Sequence, residues 1–422
     1  MQILVVNQYF HPDRSATSQL LTELCEDLSV HHDVTVVAGR PSYDPSETRE
    51  LRGFLAEDRH GSIRVLRSWS TTFPRTNMPG RLTNYATYLM SCMAGAIRAT
   101  RPDVVLTMTD PPVVALAAAA ASTVHRVPFV YVNQDVFPEV GVALGRIRQP
   151  TLVRSLTALN RSLRRRAASV VAIGRDMERR LVALGCDPAK IEVIPNWTDG
   201  SLVRPLEGPS RLRGRCGWND RFVVMHSGNV GLSQDLDTLI AAADLLREEP
   251  DVVFAIVGEG ASKAAVMADV ARRGLGNVEF LPYQPKDDLS DSLGAADLHV
   301  VGLKRGLAGY IVPSKVYGIL AAGKPYVAAV EPGTEPALIA EEHACGVRVE
   351  PGDPGALAAA IREMQGAPLD EMGSNAREAL EERFERRIAT ESYRRLLEAL
   401  AEGGRSRLRS PYGGDARHRY EE

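Results

Sequence analysis

No stretch of this 422-residue chain reaches the roughly 18 consecutive apolar residues that a membrane-spanning helix requires. The richest segment, residues 113–124, is short and mostly alanine, so a peripheral or water-surrounded protein is expected. Cysteine is scarce as well. The five present, Cys25, Cys92, Cys186, Cys216 and Cys345, are odd in number and show neither a CxxC nor metal-ligand spacing. That argues against a disulfide framework or a bound metal and for a reducing compartment. Charge of one sign is not in excess: 50 Lys and Arg face 53 Asp and Glu, a formal net charge of −3, which gives no case for a nucleic-acid partner. The start, Met-Gln-Ile-Leu-Val-Val, enters a strand pattern without a basic or cleavable leader, so a cytoplasmic protein is expected. Two fingerprints are also missing. The loop after the first apolar run is not a GxGxxG, and no Walker lysine follows any glycine-rich turn, which counts against nicotinamide chemistry and a P-loop.

What is present is an alternation. A chain of this length exceeds one ordinary core, and 44% hydrophobic residues can fill two. Short Val/Ile/Leu runs at 3–6, 34–37, 102–108, 127–133 and 169–174 are separated by helical patterns such as residues 17–29 and 82–99. Continuous apolar strands between helices predict a parallel sheet buried on both faces, a doubly wound α/β layout. Residues 199–220 interrupt the rhythm with Gly, Pro, Ser and Arg, and then a second series starts with "RFVVMHSG", "DVVFAIVG", "NVEFLPY", "ADLHVVGL" and "KPYVAAV". The expected division is therefore a Rossmann-like domain over 1–200, a linker over 201–219 and a second Rossmann-like domain over 220–385. The charged segment 381–402 reads as a terminal helix, and the polar Gly/Arg-rich residues 403–422 as a disordered tail. Two open sheets in succession leave a cleft at their carboxyl edges, where ligands bind.

Several short stretches carry chemistry. In "AGYIVPSKVYGILAAGKP", residues 308–325, Pro313 and Ser314 stand where a helix starts, so Ser314 and Lys315 suit a phosphate; an ordinary cap with a solvated lysine has the same pattern. In "HSGNVGLSQDLDTLI", Gly228 and Gly231 permit close backbone approach while Asn229 and Gln234 offer polar groups, as a phosphate cradle or as a tight connection. Asp235 and Asp237 fit a helix's first turn better than a metal site. The loop "NQYFHPDRSATSQ" mixes amide, aromatic and hydroxyl groups that suit a polyol or a solvated loop, and "VNQDVFPEVG" sets Asp135 and Glu139 after a buried strand. Residues 145–169 carry many arginines, with Leu152, Leu156, Leu159 and Leu163 at helical spacing. A helix of that kind either packs through its leucines with solvated arginines or lies on anionic lipid through the arginines from Arg161 to Arg166.

Taken in order, "NQYFHPD", "RLTNYATYLM", "TDPP", "QDVFPEVG", "VIPNWTD", "HSGNVG", "VGEG", "VPSKVYGILAAGKP" and "GVRVEPGDP" resemble the family-4 glycosyltransferases, retaining enzymes of the GT-B fold, and especially the bacterial branch that builds surface polysaccharides such as colanic acid and O-antigen. The resemblance covers the chain to about residue 400. It implies an acceptor-binding first domain, a donor-binding second domain and a helix over 386–402 that crosses back to the first. It implies donor contacts at Gly228, Asn229, Val230, Gly231, Gln234, Tyr283, Lys304, Ser314 and Lys315. Acceptor contacts fall at Asn7, Tyr9, Ser15, Ala16 and Thr17, with Asp135 reaching the sugar and Asp135 and Lys315 closest to the chemistry. The co-substrate would be a nucleotide-diphosphate sugar, UDP- or GDP-linked, with an acceptor saccharide or small molecule and no tightly bound cofactor or metal. One signature is absent: the family's glutamates eight positions apart correspond to Tyr310 and Gly318, which leaves Glu335 as a candidate for the ribose. Rival readings are transfer to a soluble small molecule or thiol, a sugar-nucleotide epimerase of the same architecture, and a non-catalytic sugar-binding protein.

Overall fold

The computed structural model describes residues 1–13, 15–41, 53–73, 78–109 and 111–403, so the segment read as a disordered tail lies, but for its first residue, outside the described residues. The apolar runs form two open sheets. The first contains β1 (Gln2–Val6), β2 (Asp33–Gly39), β3 (Leu55–His60), β4 (Ile63–Ser68), β5 (Val104–Met108), β6 (Phe129–Asn133), β7 (Ser169–Ala172) and β8 (Ile191–Val193), in the order β3-β4-β2-β1-β5-β6-β7-β8. The second contains β9 (Phe222–Ser227), β10 (Val252–Val257), β11 (Val278–Leu281), β12 (Leu298–Gly302), β13 (Tyr326–Ala329) and β14 (Gly346–Val349), in the order β11-β10-β9-β12-β13-β14. All neighbours are parallel except the hairpin β3-β4. Every residue of β5, β6, β10 and β12 is buried, as expected of strands covered by helices on both faces.

The strand orders decide where a ligand goes. In each sheet the winding reverses once, between β1 and β5 in the first and between β9 and β12 in the second. A crevice opens at the carboxyl ends of strands at such a reversal, because the two following loops run to opposite sides. The loops concerned are the one after β1 beginning at Asn7, the one after β5 at Thr109, the glycine turn after β9 and the segment from β12 to Lys315. These are the stretches that the sequence had singled out.

Three elements differ from the sequence reading. The hairpin β3-β4 shows no apolar run: β3 is the charged edge strand "LAEDRH", and edges tolerate charge because only one side pairs. The stretch read as a linker contains a helix, Arg211–Cys216, capped by Ser210 and anchored through Leu212 and Trp218 in a core shared with β9 and β10. Six residues are too few to display a period. The segment 381–402 is not one helix, since a wide turn over Leu380–Phe384 ends at extended Glu385, and the helix proper is Arg386–Ala401.

That last helix returns to the first domain. Tyr393, Leu396 and Leu397 are buried in the core of the first sheet, and Tyr393 meets Trp197 edge-on at 6.1 Å between centroids. Trp197 in turn donates through Nε1 to Glu23 Oε2 at 2.8 Å. Arg386 fastens the start of the helix: it donates to both Asp27 oxygens at 3.0 and 2.7 Å and to Glu26 Oε2 at 3.1 Å, with its side chain 17% exposed. Charge-assisted bonds of this kind contribute about 1.5–3 kcal/mol when poorly solvated. Arg386→Ala is therefore expected to lower unfolding stability by about 2 kcal/mol; a denaturant midpoint equal to that of the wild type would show that the helix is held by its apolar face alone.

Candidate active site between the two sheets

The second-domain side of the cleft is built on close backbone approach. After β9 the chain turns at Gly228, with φ +124°, and is hydrogen-bonded to the next strand's loop through Gly228 N to Val257 O at 2.9 Å and Val230 N to Glu259 O at 2.9 Å. A Cβ on Gly258, whose φ is +143°, would lie 1.9 Å from Gly228 O, and one on Gly260 would lie 2.3 Å from Val230 O. The glycines of "VGEG" thus let two loops stack at one end of the sheet. Tyr283 stands beside them, 55% exposed, with its hydroxyl donating to Glu259 O at 3.3 Å.

Lys315, the first residue of the helix Lys315–Ala321, reaches back to this turn. It is half-buried, and its Nζ lies 3.0 Å from His226 Nε2 and 3.2 Å from His226 Nδ1. Among the described residues no carboxylate comes within ion-pair distance of it. Burial pushes its ammonium down to about 7. Burial, with the Lys315 charge next, holds the His226 imidazole well below its usual range. A Cβ on Gly228 would come 3.7 Å from Lys315 Cε, so the glycine leaves space beside the ammonium.

The remaining donor-side candidates divide. Asn229 is exposed, whereas Val230 is wholly buried in the core and offers the cleft only its backbone. Gln234 is buried, with Nε2 donating to Ser233 Oγ at 3.1 Å and Oε1 without a hydrogen-bond partner among the described atoms. Lys304 sits on the other side of the same turn, 3.4 Å from Asp237 Oδ2, and Ser314 is exposed. Asp235 accepts from the Thr238 hydroxyl at 2.9 Å and from Gly352 N at 3.0 Å, a structural role at the helix start.

Glu335 stands apart from this group. It is 0% exposed and receives Arg175 three times, from the backbone N at 2.8 Å, Nε at 3.2 Å and a terminal nitrogen at 3.2 Å. Its contacts are between domains, and in this arrangement it is spoken for by an arginine of the first domain. Arg175 opens the helix Arg175–Ala183, which the sequence reading passed over. The same helix sends Arg179 to Gly333 O and Arg180 to Ala308 O at 3.0 Å, while Asp176 Oδ2 accepts Gly309 N at 3.2 Å. Burial, with Glu335 close by, pushes Asp176 up to about 6. At the two positions where the family carries glutamates, Tyr310 lies under the Arg180 guanidinium at 4.4 Å, and a Cβ on Gly318 would meet only Leu293 Cδ1, at 3.5 Å.

Across the cleft, Thr109, Gln134, Asp135 and Asn196 meet at the carboxyl edge of the first sheet. Thr109 Oγ1 accepts Gln134 N at 2.9 Å and Asp135 N at 3.2 Å, and the Gln134 and Asn196 side-chain amides exchange bonds at 3.1 and 2.9 Å. Asp135 is exposed and bridges to Ile311 of the second domain, and Val136 N donates to Tyr310 O at 2.9 Å. On the acceptor side Asn7 is fully buried, its Nδ2 donating to Tyr9 O at 2.8 Å; Ser15 caps the helix Ala16–Ser29 by accepting Ser18 N at 3.1 Å; Ala16 is exposed and Thr17 half-buried. The arginine-rich helix is Pro150–Arg166. Arg161, Arg165 and Arg166 face outward, but Arg164, counted with them from the sequence, is 3% exposed and points inward beside Tyr131. No helix among the described residues is long and apolar enough to cross a membrane.

Two open parallel sheets whose carboxyl-edge loops meet, and a helix returning from the second domain to the first, are the architecture of the GT-B fold. The chain belongs to the family-4 glycosyltransferases: residues 16–197 match the glycosyl transferase 4-like domain, and residues 221–366 match glycosyl transferases group 1. It is 30% identical over 378 residues to the putative colanic acid biosynthesis glycosyl transferase WcaI of Escherichia coli, covering 86% of this chain and 92% of that one. It is 28% identical over 334 residues to the probable glycosyltransferase WbjE of Pseudomonas aeruginosa, covering 78% and 83%. Of these two relatives, WcaI is the one named for colanic acid biosynthesis. Among solved structures, Anabaena HepE in complex with UDP and glucose has a TM-score of 0.72 at 19% identity, covering 94% of this chain and 100% of that one. Sucrose-phosphate synthase of Thermosynechococcus elongatus reaches 0.74 at 17% identity, covering 96% and 100%. At such identities the likeness speaks to the fold.

Gly258→Ala should be costly whatever the ligand, because both the backbone angle and the 1.9 Å overlap with Gly228 O oppose it. A loss of about 2–4 kcal/mol is expected in chemical denaturation, and a loss below about 0.5 kcal/mol would mean that the two loops are free to separate.

Proposed function

We propose that this glycosyltransferase moves a sugar from a nucleoside diphosphate sugar to a hydroxyl of a growing surface saccharide, with retention at the anomeric carbon. The observation that carries the reading is Lys315: an ammonium without a carboxylate partner among the described residues, next to a turn cleared of side chains by Gly228, at the reversal point of the second sheet. A desolvated cation beside exposed backbone suits a diphosphate better than it suits water. Tyr283 offers a flat, half-exposed face beside the same turn, which suits a nucleobase. The relation to HepE, whose structure holds UDP and glucose, supports the donor class, and the relation to WcaI supports the acceptor class.

In this reading the bond between the anomeric carbon and the phosphate oxygen breaks, with the electron pair leaving on the diphosphate. The acceptor oxygen then bonds to the same face, and its proton passes to a leaving-group oxygen. The chain's own contribution is electrostatic: Lys315 and the N–H groups of Asn229 and Gly231 meet charge that grows as the diphosphate departs. Asp135, whose backbone pairs with Ile311 of the second domain, would hold the sugar from the first-domain side; Tyr9 and residues 15–17 would line the acceptor's approach, and buried Asn7 would support them through its bond to Tyr9 O. The Pro150–Arg166 helix, with Arg161, Arg165 and Arg166 outward and Leu152 45% exposed, would rest on an anionic bilayer that presents a lipid-linked acceptor.

Thermal stability measured against UDP-glucose and GDP-mannose tests the donor: binding to the folded state alone must raise the midpoint. Lys315→Met should remove most of that rise and cut transfer by about 100-fold, as expected for one charged contact to the leaving group. An equal rise and rate in the variant would take Lys315 out of the site. Replacing Arg161, Arg165 and Arg166 together by Gln should weaken partition onto anionic vesicles about 100-fold, at about 1 kcal/mol per residue, while leaving binding to neutral vesicles unchanged; equal partition would make the helix face merely solvated.

A further inference from the structure

Resting on the nucleotide-sugar reading above, we propose that His226 is a positioning residue that aims the Lys315 ammonium into the space kept open by Gly228, and that a diphosphate entering that space draws a proton onto Lys315. His226 follows four apolar residues near the end of β9 and is 1% exposed. Its Nε2 lies 3.3 Å from Asn229 O, and Lys315 Nζ lies 3.0 Å from Nε2 and 3.2 Å from Nδ1. A neutral imidazole has one N–H and one lone pair, so the lone pair accepts from the ammonium, and an N–H on Nε2 is within reach of the Asn229 carbonyl. One imidazole therefore ties the lysine to the very turn it faces. On the open side, a Cβ on Gly228 would come 3.9 Å from Nζ, so any longer side chain there would fill the space.

Two titratable groups face the ammonium, His226 of β9 and His299 of β12. Both are neutral near neutrality: burial first, then the Lys315 charge, holds His226 well below its ordinary range, and burial pushes His299 down to about 4. Lys315, brought to about 7 by burial, is the member of the trio that titrates there. Lys304, by contrast, has Asp237 at 3.4 Å as counter-ion. A diphosphate favours the charged lysine, so the complex keeps its proton to higher pH than the free protein does. The sign follows: affinity is greatest below the free lysine's titration and falls as pH rises through it, by at most about tenfold per pH unit, until the bound lysine titrates too.

The test is calorimetric titration of the full chain with UDP-glucose and with GDP-mannose, diesters that do not themselves titrate near neutrality, between about pH 6 and pH 9 in two buffers of different ionisation enthalpy. Whichever sugar nucleotide binds should take up part of a proton above neutrality and lose about tenfold in affinity over the upper part of that range. Lys315→Met should abolish both effects. His226→Leu should weaken binding about tenfold, and His226→Gln, whose amide oxygen still accepts from the ammonium, should recover most of it. Binding without proton uptake, or a Gln variant no better than the Leu variant when both are folded, overturns the inference and leaves the nucleotide-sugar reading intact. Should the Leu variant fail to fold, the proton count in the wild type and Lys315→Met decides alone. No binding by the wild type of either sugar nucleotide at millimolar concentration overturns the reading, and this inference with it.

Discussion

The buried pair between Arg175 and Glu335 is the contact on which the cleft depends. Taking a carboxylate out of water costs several kcal/mol unless donors replace the lost solvent, and three N–H groups of a single residue from the other domain do so for Glu335. Neither domain can bury that charge by itself. The pair therefore adds little net stability and much definition, since sliding the domains would strand a carboxylate without donors. Arg179, Arg180 and Asp176 of the same helix reach the loops at 308–309 and 333, so a single nine-residue helix of the first domain holds two loops of the second.

This arrangement bears on the missing glutamates. Tyr310, at one of those positions, is stacked under Arg180 and gives its carbonyl to Val136, so the place is used for joining the domains. Gly318, at the other, leaves space bounded by Leu293. Charge beside the glycine turn is consequently lopsided. The chain supplies a lysine beside the glycine turn and no carboxylate within ion-pair distance of it among the described residues, an arrangement that favours an anionic ligand and penalises the empty state.

Close approach of backbone to backbone is the second constraint. Gly228, Gly258 and Gly260 let the loops after β9 and β10 stack within hydrogen-bonding distance, and Lys315 reaches the same turn from its own helix. A histidine inside the strand supplies the only imidazole in contact with that lysine among the described residues. The polar residue in "VVMHSG" was visible as an interruption of an apolar run, but nothing local says that its partner lies 89 positions away.

The sequence by itself determined the two parallel sheets, the loops at their carboxyl edges and the glycine turn, because buried strands must be continuously apolar and tight turns must be glycine. It also marked Lys315 and Asp135 through neighbours within a few positions. The edge hairpin β3-β4, the short helix Arg211–Cys216 and the break at Glu385 escaped it, being charged, too short or dependent on a distant partner. Only the tertiary structure decided that Arg164 turns inward, that Glu335 answers to Arg175 and that Lys315 rests on His226. Burial and charge pairing are properties of chain segments brought together from far apart, and no periodicity along one segment encodes which distant group will meet it.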